Sequence, residues 1–229
     1  MSERSLFRIG SVSAIVGSIL AIVVNLLHPR SASLKNPEAF LRMIAESTIW
    51  VGDHVGIVFA VLLVTGGLVA IYRSITGEPG AAWARLGFAG SLVSASILFV
   101  LMATDGITIK VLANAWAKAP ATEKAAAFSV AHALALVDFA IFSIWTIVFF
   151  GVTIILYGLA VLTSSVYPKW LGWVAVLASV GSALIGLNQA YNGPSVLVTN
   201  ILFPIFSIII TIWVFVMGVL LWRRAGRAA

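Results

Sequence analysis

The sequence predicts an all-α, polytopic membrane bundle of six transmembrane helices. Three observations carry this. Hydrophobic residues make up 61% of the 229 positions and charged residues only 10%, where a soluble domain carries about 25% charged. The mean hydropathy is +1.09. Six apolar runs reach the roughly 20 residues that one crossing requires, at about 8–28, 51–72, 86–104, 134–162, 170–188 and 200–222. The whole chain reads as one transmembrane domain.

The first run is preceded by Arg4 and Arg8 and followed by Ser31-Ala32-Ser33, as in a secretory leader. Its apolar core exceeds the about 7–15 residues of an h-region, so we read it as a retained helix. The second run opens at Val51, with Asp53 and His54 side by side, and ends at Arg73. The third begins after Arg85 and closes at Asp105. The fourth carries His132 at its edge and Asp138 about 9 Å deeper. Pro168 stops the turn before the fifth, and the sixth contains Pro204, expected to kink it.

Two connections are long. In 29–49, Asn36 can cap a short helix with Pro37 at its first position and Glu38 in its first turn. Phe40, Leu41 and Ile44 then share a face, which predicts an interfacial helix over about 37–48. In 106–133, Val111, Leu112, Ala115 and Trp116 have helical spacing, which predicts a second interfacial helix over about 107–118. Beyond a break at Pro120, Thr122 and Glu123 are expected to cap a helix that runs on into the fourth span. Gly66-Gly67, Gly87, Gly90, Gly181, Gly186 and the small residues of 91–96 suit close helix approach.

Charge orients the chain. The side holding both termini carries eight basic residues, Arg4, Arg8, Arg73, Arg85, Lys169, Arg223, Arg224 and Arg227, and two acids. The other side carries six, Arg30, Lys35, Arg42, Lys110, Lys118 and Lys124, and six acids. The positive-inside rule places both termini in the cytoplasm of a cell inner membrane. Trp83, Trp170, Trp173 and Trp222 then fall at the inner interface, and Trp50 and Trp116 at the outer. The net charge of +6 does not indicate nucleic acid, because the basic residues flank apolar runs. Lipids are the expected surroundings, and a homo-oligomer or a larger membrane complex is compatible with the composition. The absence of cysteine excludes disulfides, thiolate metal sites, iron–sulfur clusters and cysteine nucleophiles.

Odd-numbered spans each begin with a basic residue shortly before glycine: Arg8-Ile9-Gly10, Arg85-Leu86-Gly87 and Lys169-Trp170-Leu171-Gly172. Tyr72 and Tyr157 each follow an acid, Asp53 and Asp138, by 19 residues. This pattern is compatible with three helical-hairpin repeats, and equally with any set of spans that obeys the same interface rules. The stretch Phe150-Gly151 … Leu156-Tyr157-Gly158-Leu159 … Tyr167-Pro168-Lys169-Trp170-Leu171-Gly172, and more loosely Trp50 … His54, resembles small six-helix bacterial membrane proteins classed as a domain of unknown function. The resemblance implies a bacterial inner-membrane protein of six helices. It implies no activity and no site.

The polar residues of the spans gather at one end. His28 with Asn25 one turn below, Asp53, His54, Asp105, His132, Asp138, the trio Asn188, Tyr191 and Asn192, and Asn200 all lie towards the outer side. Ionisable groups inside a membrane mark sites or pathways. Four readings are open. His54, Asp53 and His132 suit a divalent metal. His54 and His132, with His28 as a further candidate, suit the two axial ligands of haem b. Asp138 with His54 and His132 suits acid–base work on a lipophilic or periplasmic molecule, the remaining polar groups lining its pocket. The fourth reading is interfacial solvation in a structural or accessory subunit without chemistry of its own. Transport of charged solutes is disfavoured, since the inner halves of the spans are nearly free of ionisable residues.

Overall fold

The computed structural model describes residues 3–30 and 36–227, with the side chain of Arg227 undescribed. The segment Ser31 to Lys35, part of the first long connection, lies outside the described residues. Seven helices are described: α1 Glu3–Leu27, α2 Pro37–Glu46, α3 Trp50–Ser74, α4 Ala81–Lys118, α5 Lys124–Thr163, α6 Lys169–Asn192 and α7 Val196–Gly226. All except α2 are long and apolar enough to cross a membrane. Six crossings bring both termini to one end of the bundle, the terminal end. The opposite end carries α2 and is called the lid end.

Two helices are much longer than a crossing. α4 has 38 residues and α5 has 40, about 57 and 60 Å at 1.5 Å per residue, against a hydrocarbon layer of about 30 Å. The stretch 107–118 therefore continues α4 and is not a separate interfacial helix. It pairs with the start of α5, and together they meet α2. Leu41, Ile44, Trp50, Ile109, Ala113, Trp116 and Ala131 form a small core there, distinct from the main one. Trp50 and Trp116 are buried in it and do not join an outer aromatic belt: the lid covers them. Trp83, Trp170, Trp173 and Trp222 are exposed, as an interface position requires.

The caps follow local chemistry in part. Asn36 accepts from the Ala39 amide and Pro37 opens α2. Thr122 makes no cap. Pro120 to Glu123 form a turn instead, with Glu123 at the cap position and no side-chain bond. Lysines cap the C-termini of three helices, Lys169 by donating to the Leu162 and Ser164 carbonyls at the end of α5. The Lys110 ammonium donates to Ile44, Ala45 and Ser47 carbonyls at 2.8, 2.9 and 2.8 Å, fastening α2 to α4. Lys124 donates to Trp116 and Ala117 at 2.6 and 3.0 Å. Each places positive charge on the negative end of a helix dipole. Gly193 ends α6 at φ 74°, a left-handed conformation that suits glycine.

Small residues close the terminal half of the bundle. A Cβ on Gly10 would come within 2.1 Å of the Ala70 Cβ, and one on Gly67 within 2.6 Å of the Ala14 Cβ. α1 thus lies directly on α3, and the Ser11 hydroxyl donates to the Gly218 carbonyl of α7 at 2.7 Å. This is the small-residue packing available where lipid supplies no hydrophobic drive. The two turns at this end are tied together. Ser74 and Tyr167 hydroxyls lie 2.6 Å apart, and burial pushes the Tyr167 phenol up to about 12. The Ser165 amide and hydroxyl donate to Glu78 at 3.1 and 2.8 Å, which holds that carboxyl below its ordinary value.

Three widened, π-helical turns interrupt the long helices, at Met102–Thr108, Thr146–Thr153 and Val196–Leu202. The first contains Gly106, and the Thr108 hydroxyl donates to the Ala103 carbonyl five residues back at 3.0 Å. The last directly precedes Phe203 and Pro204, and proline supplies no N–H to the turn before it. Such turns recur at functional sites.

Candidate functional site

The lid half of the bundle encloses a cavity of about 360 Å³. The first half of α5 packs against α4 and α6 but makes no extended contact with α1, α3 or α7. Phe142 meets Phe203 of α7 edge to face, with ring centroids 4.9 Å apart. Leu136 lines the cavity and is also exposed on the bundle surface, so the wall on this side is one side chain thick. Each widened turn adds to its wall: Met102 and Asp105, Phe149 and Phe150, Thr199 and Asn200. Phe40 of α2 roofs it.

Asp138 stands in this otherwise largely apolar wall. It is 5% exposed, and among the described residues neither carboxyl oxygen has a partner in hydrogen-bond geometry, although Thr104 of α4 stands beside it. The Thr104 hydroxyl is directed at the Val100 and Leu101 carbonyls of its own helix, both at 3.1 Å. Two turns further along α5, Trp145 also lines the cavity, and its indole N–H is buried. A buried polar group without a partner costs about 1–3 kcal/mol. Beside the cavity α5 thus buries a carboxylate at one level and an indole N–H about 10 Å further along the helix, both without a partner among the described residues.

His28, His54 and Asp105 line the lid end of the cavity, here called its mouth, and Asp53 stands behind them. His28 ends the α1 side, Asp53 and His54 lie in the first turns of α3, and Asp105 sits in the first widened turn. The His28 Nδ1–H donates to Asp53 Oδ2 at 2.7 Å. Among the described residues Asp53 Oδ1, which is buried, has no partner. Asp53 therefore does not cap α3; its carboxyl is turned to His28, and no side chain caps that helix. His54 is 1% exposed. Its Nδ1–H donates to the Trp50 carbonyl at 2.7 Å, and its Nε2 lies 3.2 Å from Asp105 Oδ2. The Trp50 indole N–H donates to the Asp105 carbonyl at 2.8 Å. The rings of His28, Trp50 and His54 lie within 5.3 Å of one another, centroid to centroid.

Not every sequence candidate joins this centre. His28, Asp53 and His54 each offer a ligand atom within 4.8 Å of the other two. His132 is not in that group. It lines the cavity elsewhere, its ring stacked on Phe128 at 5.6 Å. The metal set that the structure assembles therefore holds His28 where the sequence suggested His132. The rings of His54 and His132, the pair suggested as axial haem ligands, are not brought together, since His132 stacks on Phe128 and lies outside the cluster that holds His54. Asn25 lines the rim and accepts from Arg30 at 2.9 Å, and Asn200 lies in the wall. Asn188, Tyr191 and Asn192 face outward, Tyr191 being 86% exposed. The inward residue at that end of α6 is Gln189, 1% exposed, whose amide donates to Thr199 at 3.3 Å. Its signal in the sequence was its register with Ser182, Ile185 and Gly186 on one helical stripe, all of them buried.

The family model described as Domain of unknown function (DUF4386) matches residues 4–223. No curated protein and no solved structure matches the chain. With nearly its full length covered, the chain belongs to the DUF4386 family.

Proposed function

We propose that this DUF4386 protein binds a lipophilic molecule carrying a hydrogen-bond donor, a hydroxyl or an amine, and that Asp138 holds its polar head inside the cavity. The observation that carries the reading is Asp138, whose buried oxygens have no hydrogen-bond partner among the described residues, in the wall of a cavity of about 360 Å³. Pockets of this size, mostly apolar with few convergent polar groups, are the usual form of small-molecule sites. His132 flanks the entry, and the Trp145 N–H offers a second anchor. An acid, a histidine and a bound alcohol or amine in one dry cavity are also the parts of an acid–base enzyme, with Asp138, His54 and His132 in those roles.

The setting we propose is a bacterial inner membrane with both termini in the cytoplasm. The excess of basic residues at the terminal end supports it. The polar mouth then faces the periplasmic side, where a periplasmic or outer-leaflet molecule reaches it.

The test uses the purified protein in phosphatidylcholine nanodiscs, titrated with dodecylamine, dodecanol and dodecanoic acid while tryptophan emission is followed. The expected result is saturable binding of amine and alcohol, and binding of the acid weaker by about tenfold or more, since like charges repel at a desolvated site. Asp138→Asn should abolish the preference for the amine. Equal binding of all three probes, or an unchanged preference in Asp138→Asn, would favour an accessory subunit without a ligand.

A further inference from the structure

We propose that His28, Asp53 and His54 form a site for one divalent transition-metal ion of the zinc class, with Asp105 beside His54, separate from the Asp138 cavity carboxyl. His28, Asp53 and His54 place one ligand atom each within 4.8 Å of the other two, and Asp105 Oδ2, outside that group, lies 3.2 Å from His54 Nε2. Two imidazoles and a carboxylate are a donor set that zinc takes readily, and magnesium, which prefers oxygen and water, does not.

Three further observations point to a cation. The first is the His54 tautomer. The Trp50 carbonyl can only accept, so the proton of a neutral His54 sits on Nδ1 and Nε2 carries a lone pair. That lone pair then faces the Asp105 carboxylate at 3.2 Å. Two acceptors at that distance require a positive charge between them, a proton or a metal ion. The second is Asp53 Oδ1, buried and without a partner among the described residues although Oδ2 is satisfied by His28. The third is charge. Two carboxylates facing two imidazoles in a partly buried cluster leave negative charge that a divalent ion neutralises.

The supporting shell resembles that of metal centres. A ligating imidazole usually gives its other N–H to a backbone carbonyl or a carboxylate, as His54 does to Trp50. The Trp50 indole braces the Asp105 backbone. Gly106 lets that backbone close on the ring: a Cβ there would come within 2.6 Å of the His54 Cβ. His28 and Asp105 are about one quarter to one third exposed, which leaves a way in.

The test titrates the full-length protein, stripped with EDTA, with zinc chloride alone in a calorimeter, then with magnesium chloride. We expect one equivalent of zinc, a rise in thermal midpoint with zinc, and no competition from magnesium. His54→Ala and Asp53→Asn should each weaken zinc by about 100-fold or more, beyond what loss of an outer-shell partner costs. If His54→Ala fails to fold, His28→Ala, at the partly exposed end of α1, serves in its place. Asp138→Asn should bind zinc as the wild type does, which separates this site from the cavity reading. No zinc binding by the wild type, equal binding by the ligand variants, or equal affinity for magnesium would overturn the proposal.

Discussion

His54 Nε2 and Asp105 Oδ2 stand 3.2 Å apart across the junction of α3 with the widened turn of α4. The contact links two crossings at the depth where the cavity opens. It exists because the Asp105 backbone approaches the ring closely, and glycine at position 106 permits that approach.

Gly106→Val should therefore disturb the mouth without unfolding the bundle. Overpacking of this kind costs about 1–3 kcal/mol. Zinc affinity should fall by about tenfold or more as His54 is pushed off Asp105. Calorimetry with zinc and a thermal melt in EDTA, run on the same preparation, check both parts.

Asp138→Leu should separate stability from function. Removing a buried carboxyl without partners should raise the stability of the ligand-free protein, by about 1–3 kcal/mol. The same change should abolish amine and alcohol binding. A thermal midpoint above wild type, together with lost binding, is the expected pair, in line with the trade-off at functional sites. A variant less stable than wild type would contradict the account of Asp138 as unsatisfied.

Lys110→Met should loosen the lid. It removes three charge-assisted bonds to the end of α2, each of a class worth about 1.5–3 kcal/mol. Amide exchange over 37–46 should quicken by tenfold or more, while exchange in α3 stays unchanged. Equal exchange in both proteins would mean that Leu41 and Ile44 hold α2 without the lysine.

Glu78 gives the terminal end a pH dependence. Its carboxyl lies below the ordinary value of 4.5 because Ser165 donates to it twice. The ionised form is thus favoured by folding. The contribution is present above pH 4.5 and is lost as pH falls through the folded-state value. Glu78→Gln should melt lower than wild type at neutral pH, and the two should converge as pH falls through the folded-state value. Melting curves across that range check the sign.

The six crossings were legible because hydropathy reports lipid contact directly, and the depth of each polar group followed from counting along its run. What counting leaves open is rotation and partnership. Asp53 was placed by depth alone, and the fold turns it to His28, because α1 ends beside the first turn of α3. Asn188, Tyr191 and Asn192 share a face, but the wrong one: Gln189 points inward. Lys110 was counted only among the outer basic residues, and the fold alone brings the α2 terminus to its ammonium. The continuity of α4 past Asp105 was hidden as well, since the apolar run closes at Asp105 and a widened turn carries the helix on.

The most direct test of the central claim is native mass spectrometry of the protein taken from membranes into nanodiscs, comparing wild type with Asp138→Asn. The account predicts one lipophilic amine or alcohol retained per wild-type chain and none on the variant. The same adduct on both proteins, or none on either after incubation with dodecylamine, would contradict it.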